Sequence, residues 1–445
     1  MYIIIALILV IALLIFTTTK IKIHPFITLL FSAVLMGFIG GLDGNTVITK
    51  LTEGFGSTLK SIGIIIAFGT IIGSYLEHSG GAAAMATAVL KIVGERKSAL
   101  AIHITGFIVS MAVFCDSGFI ILSPLNKAIS KKSGIPLAVL AIALSTGLLT
   151  SHVFIPPAAG PLASAATIGA DIGLVLVFGL IAGIPTALAG FFWASYYGRK
   201  LVRDDEFEAI VEEKKAEIIE RAKLPTAKKS FSPIIIPILL IALKSISNYP
   251  GSPIDGGTLQ PIIDFIGNPV VALFIGVFIA FTLKNDKKAT HFDWIAKGLK
   301  SAGIILLITG AGGAFGNILR ATNLNDVIGS VLIEYQVGII LPFVIAAVLK
   351  SAQGSATVAL ITTAALISPL LPSLGLDSEM GKVMAVLAIS AGSMMVSHVN
   401  DSYFWVVAQF SNLNTSEALR GQSIATLLQG LTGIVVVAII SFIVL

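Results

Sequence analysis

Apolar runs follow one another along almost the whole chain and are separated by short segments rich in lysine, glycine or proline. Within the runs, apolar residues are nearly continuous and do not alternate with polar ones as in the strands of a membrane β-barrel. The pattern therefore predicts an all-α polytopic membrane protein. The first run, 2–16, has no preceding positive charge and no small-residue cleavage site, and we interpret it as a first span and not a signal peptide.

Composition agrees with a membrane protein. Of the 445 residues, 56% are hydrophobic and 12% charged, whereas a soluble domain has about 25% charged residues. The single Cys115 excludes an intrachain disulfide. Lysines and arginines cluster at the ends of apolar runs, so the net charge of +5 does not indicate nucleic-acid binding. Lys20 and Lys22 place that end of the first span in the cytoplasm and the N-terminus outside.

One segment interrupts this pattern. Residues 199–229 carry 17 of the 53 charged residues, which predicts a soluble and helical connector on the cytoplasmic side. We expect three parts: a first repeat at 1–198, the connector at 199–230 and a second repeat at 231–445.

The two halves share short sequences in the same order, at offsets of 240, 243 and 246 residues. The matches are 59–65 with 299–305, 73–76 with 316–319, and 151–153 with 397–399. If the connector is cytoplasmic, the first span after it runs opposite to the first span of the chain. Inverted repeats of this kind are typical of secondary transporters.

Each half also has a segment that a continuous helix cannot accommodate. Residues 116–118 begin a short apolar segment that Pro124 interrupts, and residues 353–357 begin a second apolar segment. These two sets of residues predict the tips of re-entrant helical hairpins. Pro156 and Pro157 break the helix after the first Ser-His-Val. Exposed N–H groups and helix dipoles at such tips suit an anionic ligand, although serine, threonine and glutamine also join membrane helices without further function.

Four titratable residues lie at the first hairpin tip or in and beside the two copies of Ser-His-Val. Carboxylates deep in a membrane are costly and mark ion or proton paths, which makes Asp116 and Asp401 candidate proton carriers; the alternative is a helix cap at the membrane surface. His152 and His398 follow the two repeated serines and are candidates for substrate or proton binding. No metal-protease, nucleophile-elbow or nucleotide-binding motif occurs. We therefore expect no enzyme and no cofactor, and transport driven by an ion gradient.

Several longer motifs resemble the gluconate:proton symporter (gluconate permease) family, nearly end to end. The clearest are Gly-Phe-Gly at 54–56, Leu-Glu-x-Ser-Gly-Gly-Ala at 76–82, Pro-Pro-x-x-Gly-Pro at 156–161, Ala-Gln-Gly-Ser-Ala-Thr-Val-Ala at 352–359, and Ser-His-Val-Asn-Asp-x-x-Phe-Trp at 397–405.

This resemblance implies a proton-coupled importer of gluconate or related hydroxy acids, with some members taking glycerate or D-serine. It also implies two inverted repeats with two re-entrant hairpins, a homodimer and an elevator mechanism. The chain departs from the family at Ala158 and Ala159, where gluconate-type members are expected to have His-Pro. Losing that histidine makes a different or smaller carboxylate more plausible.

We therefore expect an inner-membrane symporter for a small hydroxy-carboxylate. The alternatives are a symporter for glycerate or D-serine, coupled to protons or to sodium, and, more distantly, a channel. Asp401 or Asp116 would carry the proton. The residues expected to bind substrate are Ser117, Gly118, Gln353, Gly354, Ser355 and Thr357 at the hairpin tips, and Ser151, His152, Ser397, His398 and Asn400 in the broken spans.

Overall fold

The computed structural model describes residues 2–94, 97–201, 224–248, 259–284, 290–322, 338–399 and 401–445. In these parts the chain is helical and contains no strand. Asn400 and most of the predicted connector, 202–223, lie outside the described residues. The helices are α1 Tyr2–Thr19, α2 Pro25–Ile39, α3 Gly44–His78, α4 Gly81–Val93, α5 Ser98–Val109, α6 Cys115–Ser133, α7 Leu137–Phe154, α8 Ala159–Ile168, α9 Ile172–Tyr197, α10 Ala227–Ser247, α11 Gln260–Ile266, α12 Pro269–Phe281, α13 His291–Ala321, α14 Ile340–Gln353, α15 Ala356–Ile367, α16 Glu379–Ser393, α17 Ser402–Phe410, α18 Thr415–Ala418 and α19 Ile424–Val444.

Five helical segments among the described residues are long and apolar enough to cross a membrane, or seven if two bent helix pairs each count as one span. The all-α polytopic class is thereby confirmed. The bends fall within α3, by 49°, and between α11 and α12, by 61°. Five further apolar helices among the described residues have 10–17 residues and are shorter than a typical membrane span.

The centre of the molecule is formed by two helices that are mostly apolar and buried on all sides over most of their length. Every residue of α7 is buried, and α16 is buried without interruption from Val383 to Ser393. A helix without a polar face has to be surrounded by other helices. These two helices therefore form the core of the protein, and both end at a break in the helical backbone.

α3 and α13 cross as an antiparallel pair. Near one end the Ser74 hydroxyl donates to the Trp294 carbonyl at 2.7 Å, and near the other the Asn317 amide donates to the Lys50 carbonyl at 2.8 Å. In sequence, the repeat pairs 59–65 in α3 with 299–305 in α13. The two equivalent helices thus run in opposite directions, as an inverted repeat requires.

Close helix packing is repeated in the two halves as well. Gly147 of α7 lies against the carbonyl of His103 in α5, and Gly392 of α16 lies against the carbonyl of Phe343 in α14; in each case a Cβ atom would overlap the carbonyl oxygen. The equivalent residues are 245 and 240 positions apart, close to the sequence offsets. Small residues let membrane helices approach to backbone contact, so the repeat preserves the packing of each hairpin on its core helix.

Each half thus has a helical hairpin packed against a broken span. In the first half α5 and α6 form the hairpin, and α7 and α8 the broken span; in the second, α14 and α15 form the hairpin, and α16 and α17 the broken span. Individual residues explain where the backbone breaks or turns. Pro156 and Pro157 end α7, Gly354 turns the second hairpin at a φ of +79° that favours glycine, and Asp401 caps the N-terminus of α17. The expected inverted repeats with two hairpins are present, while the boundaries at 198 and 230 stay a prediction.

The glycine contacts predict the response to added methyl groups. Gly147→Ala and Gly392→Ala each push two helices apart and are expected to destabilise the protein by about 1–3 kcal/mol. Gly303→Ala, in α13 with open space at its Cβ position, is the matched control and is expected to be neutral or stabilising, because alanine favours helix. Thermal unfolding of the purified variants in detergent measures this. Equal melting temperatures for Gly392→Ala and Gly303→Ala would contradict the packing described.

Candidate functional site

The tip of the first hairpin brings Asp116 into the interior. Asp116 lies in the first turn of α6, and its Oδ1 is buried without a hydrogen-bond partner among the described residues. Ser117 faces a polar cavity. The N–H of Gly118 donates to the Phe114 carbonyl at 2.8 Å, and its Cα packs against Leu148. In this form Gly118 therefore supplies close packing, while the donor expected of it is used within the helix.

At the tip of the second hairpin, too, some residues shape the backbone and another keeps buried polar atoms without a partner. Gly354 forms the turn, and its N–H donates to the Lys350 carbonyl at 2.8 Å. The Ser355 hydroxyl accepts from the Val358 N–H and caps α15. Neither polar atom of the Gln353 amide has a partner among the described residues, although both are buried. Because an unmade hydrogen bond inside a protein is costly, this amide is available for a ligand.

The first broken span reaches the second hairpin. Nε2 of His152 lies 3.0 Å from the Thr357 hydroxyl oxygen, which joins two residues 205 positions apart and from different halves. The neighbouring Ser151 hydroxyl is buried and unpartnered within the described parts. Two residues expected at the site from separate motifs are therefore in direct contact.

The second broken span is fixed on both sides. The Ser397 N–H donates to the Thr426 hydroxyl at 3.0 Å, and the Ser423 hydroxyl donates to the Ser397 carbonyl at 2.5 Å. His398 Nε2 lies 2.9 Å from the Ser351 carbonyl oxygen. Since a carbonyl only accepts, this nitrogen carries the hydrogen. The segment is thus held against both α19 and the end of α14.

Lys350 belongs to this site as well, although it is not among the residues expected there from the sequence. The ammonium of Lys350, in the last turn of α14, lies 2.5 Å from Asp401 Oδ2 and donates to the Gly354 carbonyl at 3.0 Å. Its side chain is 1% exposed and that of Asp401 5%. Asp401 also accepts from the Ser397 hydroxyl at 2.5 Å and the Tyr403 N–H at 3.0 Å. The sequence feature that could have indicated Lys350 is its position at the end of an apolar run, directly before the second hairpin tip, because charged residues inside a membrane protein are usually functional.

Two cavities with shared wall residues lie beside the first broken span and the first hairpin tip. The inner one, of about 20 Å³, has His152, Pro157, Ala158 and Ala159 in its wall. That volume is enough for about one water molecule. The outer one, of about 290 Å³, shares four wall residues with it: Thr70, Ala112, Val113 and Phe114.

We call the outer cavity the lysine vestibule. It is lined by Ser117 from the first hairpin tip, by Lys297 and Lys300 from α13, and by Glu77 and His78 from the end of α3. Two lysines against one glutamate give it a positive balance. A cleft of one charge sign raises the local concentration of ions of the opposite sign. The lysine vestibule therefore favours an anion.

Residues 1–443 match the family model described as GntP family permease. The chain belongs to the GntP permease family. It is accordingly a multi-pass inner-membrane protein, and the family consists of permeases, in keeping with the lack of enzyme motifs in the sequence.

Several GntP relatives align over nearly the whole chain. The chain is 32% identical to the gluconate permease of Pseudomonas aeruginosa over 436 residues, covering 96% of this chain and 94% of that protein. It is 30% identical to the D-serine transporter DsdX of Escherichia coli over 441 residues, with coverages of 98% and 97%. An uncharacterized permease of Haemophilus influenzae is 35% identical over 424 residues, with coverages of 92% and 86%.

The fold also has a solved counterpart. The crystal structure of the YdaH transporter of Alcanivorax borkumensis, described as having an unusual topology, superposes with a TM-score of 0.68 at 13% identity. The match covers 94% of this chain and 99% of that one. At this identity the likeness is one of fold, and it agrees with the helical hairpins and broken spans described above.

The lysine vestibule predicts a kinetic phenotype. Replacing Lys297 and Lys300 together by glutamine is expected to raise the KM for an anionic substrate about three- to ten-fold, with little change in kcat, because exposed charges steer encounter more than they hold the ligand. The effect should shrink at high salt. The matched control removes two exposed lysines from α10, Lys228 and Lys229. A KM that is equal in both double variants at low salt would contradict this role.

Proposed function

We propose that this GntP family member is a secondary active transporter that imports gluconate or a related small hydroxy-carboxylate together with protons. The observation that carries the proposal is a fully buried ammonium, that of Lys350, at the tip of a re-entrant hairpin. A buried lysine is a strong partner for a carboxylate. The GntP relatives include proteins named for gluconate and for D-serine, both of which carry a carboxylate group.

The hydroxyl groups of such a substrate need hydrogen-bond partners, and buried unpartnered side chains are present on both sides of the site. Gln353 and Ser151 have no partner within the described residues. We assign substrate contacts to these two and to the residues that surround them. The set is Ser117, Gly118, Gly354, Ser355 and Thr357 at the hairpin tips, and His152, Ser397, His398 and Asn400 in the broken spans.

Asp401 and Asp116 are the proposed proton carriers. Both carboxylates are close enough to interact electrostatically with each other and with Lys350. Acidic side chains inside a membrane protein commonly serve proton movement. We further propose that the connector lies in the cytoplasm with the N-terminus outside, and that the protein works as a homodimer with an elevator movement of the core.

A smaller substrate such as glycerate or D-serine is the second candidate, with sodium as the alternative coupling ion. The observation that favours it is the wall of the inner cavity, where Ala158 and Ala159 offer no polar side chain. A long polyol chain extending toward this wall would lose its hydrogen bonds with water without replacement. A three-carbon acid would avoid that cost.

Uptake into proteoliposomes tests the proposed function. With an inwardly directed proton gradient, labelled gluconate is expected to accumulate above its external concentration, and dissipation of the gradient by a protonophore should abolish the accumulation. The same measurement with glycerate and D-serine ranks the two candidate substrates. Accumulation that ignores the pH gradient and follows an imposed sodium gradient would overturn the proton assignment. Flux that only equilibrates would indicate a channel.

A binding measurement separates substrate recognition from transport. Purified protein is expected to gain thermal stability with its substrate, by about 2.7 kcal/mol when the ligand is at 100 times its Kd. A panel of gluconate, glycerate, D-serine and lactate provides the comparison, with a neutral polyol of similar size as the control. Equal shifts with the polyol and with gluconate would contradict recognition through the carboxylate.

A further inference from the structure

The Lys350 ammonium has hydrogen-bond acceptors for two of its three N–H groups among the described residues. An ammonium has three N–H donors. Two of them contact Asp401 and the Gly354 carbonyl, at 2.5 and 3.0 Å, and the described residues supply no acceptor for the third. Lys350 lies three positions before Gln353, whose buried amide has no partner among the described residues, and both residues belong to the last turn of α14 before the hairpin tip.

The charge balance of this pair is constrained by its burial. Removing one partner of a buried ion pair leaves an uncompensated charge and is strongly destabilising. Lys350 therefore needs a negative group at every stage of the transport cycle, whether the site is empty or loaded. An incoming substrate carboxylate is a second negative group. Since the pair is already neutral, the site can accept that carboxylate without excess charge only if one positive charge enters as well, and a proton on Asp401 supplies it.

Other titratable groups face the same pair and enter the charge balance. They interact electrostatically with Lys350 or Asp401 and come from α6, α7 and α17: Cys115, Asp116, His152 and Tyr403. Among the two acids, only Asp401 contacts the ammonium directly. Asp116 has its Oδ1 unpartnered within the described parts. Asp401 is thus the acid whose charge the ammonium compensates in the empty site.

We propose that Lys350 is the shared counter-ion of Asp401 and the substrate carboxylate, and that the substrate takes over the ammonium as Asp401 accepts the coupled proton. This inference rests on the proposed function and deepens it. In the empty site the ammonium pairs with the Asp401 carboxylate. In the loaded site it pairs with the substrate carboxylate, and Asp401 is a neutral acid that still accepts from the Tyr403 N–H and shares a hydrogen bond with Ser397.

Protons and charges balance in this exchange. One monoanionic substrate and one proton enter, the proton becomes the O–H of Asp401, and the net charge of Lys350, Asp401 and substrate stays at zero. On the other side of the membrane the substrate leaves, Asp401 releases its proton, and the ion pair forms again. The empty carrier therefore returns with its charges paired, and substrate cannot cross without a proton.

Two single variants separate the two roles in proteoliposomes, with labelled gluconate as the probe. Asp401→Asn imitates the neutral acid, so we expect gluconate:gluconate exchange to persist, while accumulation driven by a pH gradient is lost because the empty carrier would hold an unpaired ammonium. Lys350→Gln removes the counter-ion of the substrate, and both exchange and accumulation should fall at least about ten-fold in kcat/KM. Lys350→Arg keeps the charge and should restore part of both activities.

Two further variants control for the loss of a positive charge and for failure of a single variant to fold. Lys91→Gln, an exposed lysine on α4, controls for loss of a positive charge. The double variant Lys350→Gln/Asp401→Asn leaves no unpaired charge, so it is expected to fold if Lys350→Gln does not, and it should lack exchange. A purely structural ion pair predicts instead that the double variant recovers transport. Either that recovery or loss of exchange in a folded Asp401→Asn protein would overturn the proposal.

The carrier of the proton is tested in the same assay. If Asp116→Asn shows exchange without accumulation while Asp401→Asn retains both, Asp116 carries the proton and the proposed takeover of Lys350 is wrong. Failure of the wild-type protein to accumulate gluconate, glycerate or D-serine would refute the proposed function itself, and the inference with it. A wild-type protein that accumulates substrate, with Lys350→Gln equally active, refutes the inference alone.

Discussion

A buried ammonium requires a negative partner, and this requirement governs the arrangement of the second half of the protein. Lys350 and Asp401 come from different elements, the hairpin helix α14 and the broken span before α17, and meet with almost no exposure to solvent. The hydrogen bonds from Ser397 and the Tyr403 N–H orient the carboxylate. Because breaking such a pair is far more costly than never forming it, the hairpin and the break are coupled in position and in charge.

The two halves share their packing but differ in their chemistry. In both, a glycine on the core helix contacts a carbonyl of the hairpin, and a Ser-His pair stands at the end of the core helix. Among the described residues, an ion pair stands at this junction in the second half and not in the first. In the first half the corresponding histidine, His152, contacts Thr357 from the opposite half. The symmetric scaffold thus holds an asymmetric site, as selective binding of one oriented substrate requires.

The sequence predicted the architecture because the backbone itself carries the signals. Adjacent prolines at 156–157 and the turn glycine Gly354 interrupt helices whatever surrounds them, so both hairpins and both breaks could be located. Site contacts were harder to predict. His152 and Thr357 are 205 residues apart and meet only through the packing of two halves, and nothing local indicates that the Gly118 N–H is used within its own helix.

Lys350 was missed for a different reason. Lysines near the ends of apolar runs normally mark the cytoplasmic side of the membrane, and Lys350 follows ten mostly apolar residues. Its burial depends on the hairpin turning back within the protein, which the charge pattern alone does not show. In a chain with predicted re-entrant hairpins, a basic residue close to a tip is better interpreted as part of the site.

The central claim is that a substrate carboxylate binds at the junction between the second hairpin and the second broken span. An experimental structure with bound gluconate tests it most directly. We expect the carboxylate within hydrogen-bond distance of the Lys350 ammonium, and the distance from that ammonium to Asp401 greater than the 2.5 Å of the present structure. Gluconate bound instead in the cavity beside Arg320 and Asn317, with the Lys350–Asp401 contact unchanged, would contradict it.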